Sequence, residues 1–368
     1  MSGSTGKKKA QSAIEYLMTY GWMLLVVAVV GGAVFSVVGD QSIESVSGFD
    51  SQSVNVQDFG VSIENGLMFS LNDPIGQATV TEVIVSNPDS SNITYVVNQD
   101  ISEENMVNLP GIIPGDGDNE LEVEIIYDSG NLENLTTSGT VTGTLEVDEN
   151  FNDRTIITDG LVGYWPLGER YSLDSTVYDL TTNNNHGEKI NSPTAVDSIL
   201  GGQALEFDGS ESVNLGKDHK ADISVTEDFS ISIWANGGED VGGYIIAKRD
   251  SGYSHSNGWL IDHQGSEIQT TVGDSTQYSI SDGISTNKWI HIVLSNNGMD
   301  EHDVYVDGEP KGSFPSGSGD EDNARIIVGA RDLTSYQFND GKIDDVRIYN
   351  RALSSNEVES IYEQRSVE

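Results

Sequence analysis

Two polar stretches of this chain bring aromatic rings and planar polar groups together, a combination that suits a sugar. Arg249, Asp250, Tyr253, His255 and Trp259 make up one; Arg331, Asp332, Tyr336 and Phe338 make up the other. A ring can stack on the C–H face of a saccharide while its hydroxyls bond to Asp, Asn or Arg. Nothing in the sequence requires the two stretches to converge, and ordinary exposed loop residues are the alternative reading. Trp165, Trp234 and Trp289 fall within strand-like segments, where core packing is the better account. A different chemistry attaches to Glu15, which stands just before an uncharged apolar run from Tyr16 to Val38. A carboxylate inside an apolar span costs roughly 2.5–3.5 kcal/mol at a helix centre and less near its end. A cut between Ala10 and Gln11 would leave a free amine shortly before Glu15. In a stack of such helices, one subunit's Glu15 could then pair with a neighbour's amine.

The elements that position these groups begin with that run. It exceeds the ~20 residues a helix needs to cross a bilayer. Lys7, Lys8 and Lys9 would hold its start in the cytoplasm and place everything after Gly39 outside. The string Lys9-Ala10-Gln11-Ser12-Ala13-Ile14-Glu15, followed by Tyr16-Leu17-Met18-Thr19-Tyr20-Gly21-Trp22, resembles the class III signal peptides of archaeal type IV pilins and archaellins. The resemblance covers roughly the first forty residues. It implies processing at Lys9, Ala10 and Gln11 by a prepilin peptidase, and assembly with other pilin subunits through Glu15. The alternatives are an ordinary secretory signal peptide and an uncut signal anchor. The first is disfavoured because its apolar core spans only ~7–15 residues and precedes a small-x-small site.

With 59 acidic and 18 basic residues, the formal net charge is −41. Such a surface repels nucleic acid and anionic lipid, which excludes a nucleic-acid partner. The acidity is spread over all regions after Gly39, as in a protein from a high-salt habitat whose counterions screen the repulsion. A calcium-binding surface protein is the compatible alternative. The chain has no cysteine, so disulfides, thiolate zinc sites and Cys nucleophiles are excluded. Asn92-Ile93-Thr94 and Asn134-Leu135-Thr136 are candidate glycan sites at Asn92 and Asn134.

After Gly39 the helix should end and the chain turn polar to about Ser47. From Phe49 to Val147 the signals are β: Gly66–Leu71, Ala78–Val85, Ile93–Val97, Leu121–Tyr127 and Thr140–Val147 read as strands of an antiparallel sandwich. Asp148 to Asp159 is polar and acidic and reads as a linker. Beyond Gly160, Phe229, Ile231, Ile233 and Ala235 alternate onto one face, and Asp307-Gly308 suits a two-residue hairpin turn. Ser354 to Glu357 forms a capping box before a helix with an apolar stripe of Val358, Ile361 and Tyr362.

Four segments are similar to the laminin-G-like, concanavalin A-like jelly-roll family: GLVGYWPL at 160–167, YDLTTNNNHG at 178–187, ALEFDG at 204–209 and GKIDDVRIYNRALS at 341–354. Their order and spacing run through the last two hundred residues. The resemblance implies binding of carbohydrate or protein, usually without catalysis, and often a structural calcium, with Asp179 and Asn183 and either Asp344 or Asp345 as its ligands. Asp345 could equally pair with Arg347 or Arg351. Hydrolases of that fold usually show a Glu-x-Asp-x-x-Glu-like strand, and the nearest string, Glu146 to Glu149, falls at the linker. No G-x-S-x-G is present either.

The chain is therefore expected to be mainly β, in five parts: a signal peptide at 1–10, a hydrophobic helix at 11–39, a pilin-type sandwich at 40–148, a linker at 149–159 and a jelly roll at 160–368. The expected role is a non-enzymatic subunit of an extracellular, cell-surface filament, membrane-inserted before assembly, that adheres to a glycan or surface partner. An uncut membrane-anchored adhesin, an archaellin and a surface glycosidase are the alternatives.

Overall fold

The computed structural model describes residues 43–363, apart from breaks at 50–53, 63–65, 74–75, 87–91, 102–104, 148–154, 218, 250–256, 266, 275, 282–287, 299–300, 320–323 and 333–334. These belong to a compact unit from Ile43 to Glu368. The readings for Lys9, Ala10, Gln11, Glu15 and the helix over 11–39 lie outside the described residues. Among the described residues no helix is long and apolar enough to cross a membrane.

The first part of the unit is a two-layer sandwich. Its strands are β1 (Ile43–Gly48), β2 (Asn55–Ser62), β3 (Gly66–Asn72), β4 (Ala78–Ser86) and β5 (Asn92–Asp100), then β6 (Met106–Leu109), β7 (Ile112–Ser129), β8 (Leu132–Val147) and β9 (Thr155–Ile157). One sheet runs in the order β1-β8-β7-β4-β5-β9, the other β2-β3-β6. Leu67, Phe69 and Leu71 of the small sheet share a core with Val80, Val83 and Val85, with Leu121, Val123 and Ile125, and with Val141 and Leu145. The alternation in β4 changes phase between Val80 and Val83 because a bulge between Val80 and Glu82 inserts a residue against both neighbours.

The structure departs from the sequence reading at both ends of this sandwich. Ile43–Gly48 is a strand on the edge of the large sheet, not a polar exit from a helix. Residues 155–157, read as linker, form β9, which pairs in parallel with β5 at Thr94↔Thr155 to Val96↔Ile157. Tyr164, Tyr171 and Leu180 also pack into the sandwich core, so residue 160 does not separate two independent cores. Pairing with β8 for the first segment and with β5 for the second, both distant in sequence, makes them strands, and the β-branched Thr155, Ile156 and Ile157 suit that role.

The second part contains β10 (Leu161–Trp165), β11 (Ser172–Leu173), β12 (Thr176–Val177), β13 (Gly187–Ile190), β14 (Thr194–Asp197), β15 (Gln203–Phe207) and β16 (Ser212–Gly216). The long β17 (Asp228–Lys248) follows, then β18 (Trp259–Gln264), β19 (Glu267–Val272), β20 (Tyr278–Ile280) and β21 (Trp289–Asn297). Last come β22 (Glu301–Val306), β23 (Glu309–Pro315), β24 (Ile326–Val328), β25 (Ala330–Asp332), β26 (Ser335–Gln337), β27 (Asn339–Tyr349) and α1 (Ser355–Tyr362). β17 serves two layers. Its first half pairs with β21 and β27, its second half with β18 and β24. Phe229, Ile231, Ile233 and Ala235 alternate into the core as their spacing predicts, where they meet Trp259, Ile261, Ile268, Ile326 and Val328 from the other layer. Trp165 and Trp234 are buried; Trp289 is half-buried.

Asp307 and Gly308 join β22 to β23 with φ of 53° and 79°, the paired left-handed geometry that a two-residue hairpin demands. α1 lies on the outer face of the first layer, where Val358 and Ile361 join Val293, Tyr305 and Tyr349 and Tyr362 stacks on Trp234 at 5.9 Å. Its capping box is complete: Ser354 Oγ accepts from the Glu357 N–H, and the Ser354 N–H donates to Glu357 Oε2 at 2.8 Å. Ser354→Ala is expected to cost about 1 kcal/mol, readable as a lowered midpoint in urea unfolding with an unchanged slope.

Candidate functional site

The GKIDDVRIY and YDLTTNNNHG segments, which carry much of the family likeness, turn out to be buried scaffolding. Asp179 Oδ1 accepts from the N–H groups of Tyr164 at 2.9 Å and Thr181 at 3.0 Å. Its Oδ2 accepts from Thr181 Oγ1 at 2.9 Å and the Asn185 N–H at 2.8 Å. Burial pushes this carboxyl above the ordinary range and the four donors pull it back. Asn183 donates its amide to Val162 O at 3.1 Å. Asp345 is gripped by Arg347, Nε to Oδ1 and Nη2 to Oδ2, both at 2.9 Å. Asp344 Oδ1 accepts from the Asp345 N–H at 2.7 Å and the Leu167 N–H at 3.3 Å, and its Oδ2 accepts from Ser198 Oγ.

These four residues do not fit a calcium ion, which asks for ~6–8 open oxygen ligands. Asp179 already accepts four hydrogen bonds, Asp345 already has a cation, and Asp344 is held by backbone and Ser198. Among the described residues no group of three or more His, Asp or Glu comes together to hold a metal.

The sugar-binding candidates divide. Trp259 and Phe338 are core residues, 1% and 0% exposed; Trp259 packs against Phe229 at 6.1 Å. Both are corrections to the sequence reading. Trp259 begins a strand whose odd positions face inward, so the polar stretch before it misleads. Asp250, Tyr253 and His255 lie outside the described residues, and Tyr336 belongs to β26, which pairs with β25. Arg249, Arg331 and Asp332 are all buried, and the fold brings them to one place.

That place is the face of the β17–β18 sheet turned away from the main core. Trp259 and Ile261 point into the core, whereas Leu260 meets Tyr244 and Ala247 in a small separate cluster. Asp262, two residues beyond Leu260, therefore shares this outer face, and it stands opposite Tyr244 in the register. A bulge between Tyr244 and Ile246 resets the alternation, so that Arg249, just past the end of β17, follows Ala247 onto the same side.

The charges act on one another here. Burial lowers the Arg249 guanidinium from its usual value, while Tyr244 and Asp262 raise it and Arg331 lowers it. Burial pushes Asp262 up to about 7, against the pull of Gln277 and Arg249. The exposed Gln277 donates to Asp262 Oδ2 at 3.0 Å, but Asp262 Oδ1 is buried without a hydrogen-bond partner among the described residues. Arg331 binds the adjacent Asp332 Oδ2 through Nε at 3.3 Å and Nη2 at 3.2 Å. Sequence reading overlooked Tyr244, Asp262 and Gln277. The one signal available was a carboxylate within an otherwise apolar strand, WLIDH.

A family model described as the concanavalin A-like lectin/glucanases superfamily, Laminin G 3, matches residues 207–359. The C-terminal part is a laminin-G-like, concanavalin A-like jelly roll. The matched stretch of this jelly roll contains Tyr244, Arg249, Asp262, Gln277, Arg331 and Asp332. Botulinum neurotoxin type G of Clostridium botulinum is 25% identical over 214 residues, 52% of this chain and 16% of the toxin. The chain thus spans well under a fifth of that relative. The binding domain of Paraclostridial Mosquitocidal Protein 1 is similar at 21% identity and a TM-score of 0.44, covering 55% of this chain and 52% of that one. Domain 4 of AbnA, a GH43 extracellular arabinanase from Geobacillus stearothermophilus solved with arabinotriose, is 21% identical. Its TM-score is 0.43, over 56% of this chain and 98% of that domain.

A hollow of about 380 Å³ lies elsewhere, where the jelly roll meets the first sandwich; Gln99, Asn108, Asp159, Asn183, Lys220 and Asn350 are among its lining residues. The sequons fall elsewhere: Asn92 opens β5 and Asn134 lies in β8, both exposed.

Proposed function

We propose that the chain is a subunit of an archaeal type IV pilus-like surface filament whose jelly roll is a lectin-like adhesion domain. It binds an extracellular glycan or cell-surface partner and does not cleave it. The observation that carries the binding reading is Arg249 and Asp262 on one face and within electrostatic reach of each other, two buried polar groups of opposite character, each with atoms lacking a hydrogen-bond partner among the described residues. A sugar hydroxyl both accepts and donates, which is what such a pair lacks. A glycosidase needs two carboxyl groups across the scissile bond, about 5–9.5 Å apart. Asp332 is engaged by Arg331, which leaves Asp262 as the available carboxyl among the described residues of this face.

The filament half of the reading rests on Lys9-Ala10-Gln11 and Glu15. The helix inserts, a prepilin peptidase trims it, and other pilin subunits pack against it. The second reading is an uncut, membrane-anchored adhesin. Intact mass of protein from native membranes should give a chain beginning at Gln11, whereas one beginning at Met1 would favour the anchor. Glu15→Leu should leave membrane insertion intact and abolish filaments; normal amounts of mutant in sheared filaments would remove the charge-pair role. Wild-type filaments should bind within a glycan panel, and sugar release would overturn the non-catalytic reading.

A further inference from the structure

Three buried arginines of the jelly roll present the same planar edge, Nε and Nη2, to different company. The edge of Arg347 holds both oxygens of Asp345. That of Arg331 converges on Asp332. In Arg249, which is 5% exposed, Nε and Nη2 are both buried and neither has a hydrogen-bond partner among the described residues. A buried donor left unmade is costly, and these two N–H groups run parallel, in the spacing that matches a carboxylate.

We propose that the open edge of Arg249 seats a ligand carboxylate, so that the glycan taken by this face is an acidic one, built from uronate-type sugars. The inference rests on the lectin reading above and names the class of its ligand. Charge balance among the described residues supports it. Asp332 offsets Arg331, so among them Arg249 and Asp262 set the charge of the face. Among the described residues the groups around Asp262 are Tyr244 of β17, Arg249 just past its end, Gln277 before β20, and Arg331 of β25 through Tyr244; Gln269 stands opposite on β19. A carboxylate on Arg249 would bring a second negative charge near Asp262 and favour its protonated form. Oδ1, which has no hydrogen-bond partner among the described residues, would then carry the proton and donate to the ligand. Binding therefore takes up a proton and tightens as pH falls. A neutral sugar does the reverse, because its hydroxyl donates to ionised Asp262 and loses that acceptor on acidification. The sign of the pH dependence separates the two.

The acidic remainder of the chain repels an anion at long range. Salt screens that repulsion, with a Debye length of ~3 Å at 1 M, and a buried fork is screened less. The test titrates the full chain at fixed 1 M salt with a short oligogalacturonate and a neutral galactose oligomer of equal length, at pH 5.5 and 8.5. The uronate stays ionised across this range, since its carboxyl titrates at about 3.5. The acidic oligomer should bind about tenfold or more tightly than the neutral one, and more tightly at pH 5.5, since each pH unit of coupled proton uptake is worth up to about tenfold. Arg249→Lys, which keeps the charge and a donor but loses the planar edge, should weaken the acidic ligand by about tenfold and the neutral one by clearly less; an equal loss for both overturns the carboxylate seat. Asp262→Asn, close in shape, should flatten the pH dependence and keeps the inference testable if Arg249→Lys fails to fold. Equal or tighter binding of the neutral oligomer, or a reversed pH sign, overturns the carboxylate and leaves the lectin reading standing. No binding of any oligomer in a wide glycan panel removes both. Equal binding of an oligoglutamate peptide overturns the sugar assignment.

Discussion

Asp345→Asn is expected to cost the fold roughly 3–5 kcal/mol, the penalty of stranding one member of a buried ion pair. Asp345 is 1% exposed and Arg347 is 0%. Burial alone would lower the affinity of Arg347 for its proton, and Asp345 more than offsets this, so the guanidinium stays charged in the core. It also lies over the Tyr164 ring at 4.7 Å, and Tyr164 packs into the first sandwich. The loss is therefore expected to weaken the seam between the sandwich and the jelly roll as well as the jelly roll itself. Asp345 sits at φ 52°, a region asparagine tolerates well, so the substitution isolates charge from backbone strain. Urea unfolding of the unit from Ile43 to Glu368, with EDTA present, measures it. Adding Arg347→Met should recover much of the loss, because no unpaired charge is then buried. A change below 1 kcal/mol in the single variant would show that water or another group reaches Arg347.

The second large effect is pH-dependent and has the opposite sign from an ordinary carboxylate. Burial, then the neighbouring Asp345 charge, pushes Asp344 up to about 7, against the pull of Ser198 and two N–H groups. The folded protein therefore binds this proton more tightly than the unfolded chain, whose Asp titrates near 3.9. Its contribution is fully present below about pH 4, declines as pH rises through 7, and is absent above that. The decline is on the order of 3–4 kcal/mol. Asp344→Asn keeps a neutral group of the same shape and removes this titration. Wild type and variant differ in the expected way if the variant gains on wild type steadily between pH 4 and 7 at constant salt. Taking the difference cancels the general charge repulsion and the similar rise at Asp262. Parallel stability curves would mean Asp344 stays ionised throughout.

What could be read from the sequence were features set by neighbours along the chain. The two-residue period of Phe229, Ile231, Ile233 and Ala235, the left-handed pair Asp307-Gly308 and the Ser354–Glu357 box each depend on contacts a few residues apart. Local chemistry therefore determined an all-β chain closing on one short helix. The Lys9-Ala10-Gln11 and Glu15 motif is likewise local, and the sequence alone carries it. Tertiary structure decided the rest. Trp259 and Phe338 look like loop aromatics, yet strand pairing turns them into the core, because which face a strand position takes depends on where its partner's register begins. Asp179, Asp344 and Asp345 read as candidate calcium ligands, with Asp345 paired to Arg347 as the local alternative; the fold keeps that pair and closes distant N–H groups over Asp179 and Asp344. Arg249 and Asp262 stand on either side of the connection from β17 to β18, and Arg331 lies far from both in sequence. A bulge in β17 and the pairing of β17 with β18 set the first two on one face, and β25 adds the third. A site assembled from strands with long intervening segments has no local signature, since no short-range interaction specifies it.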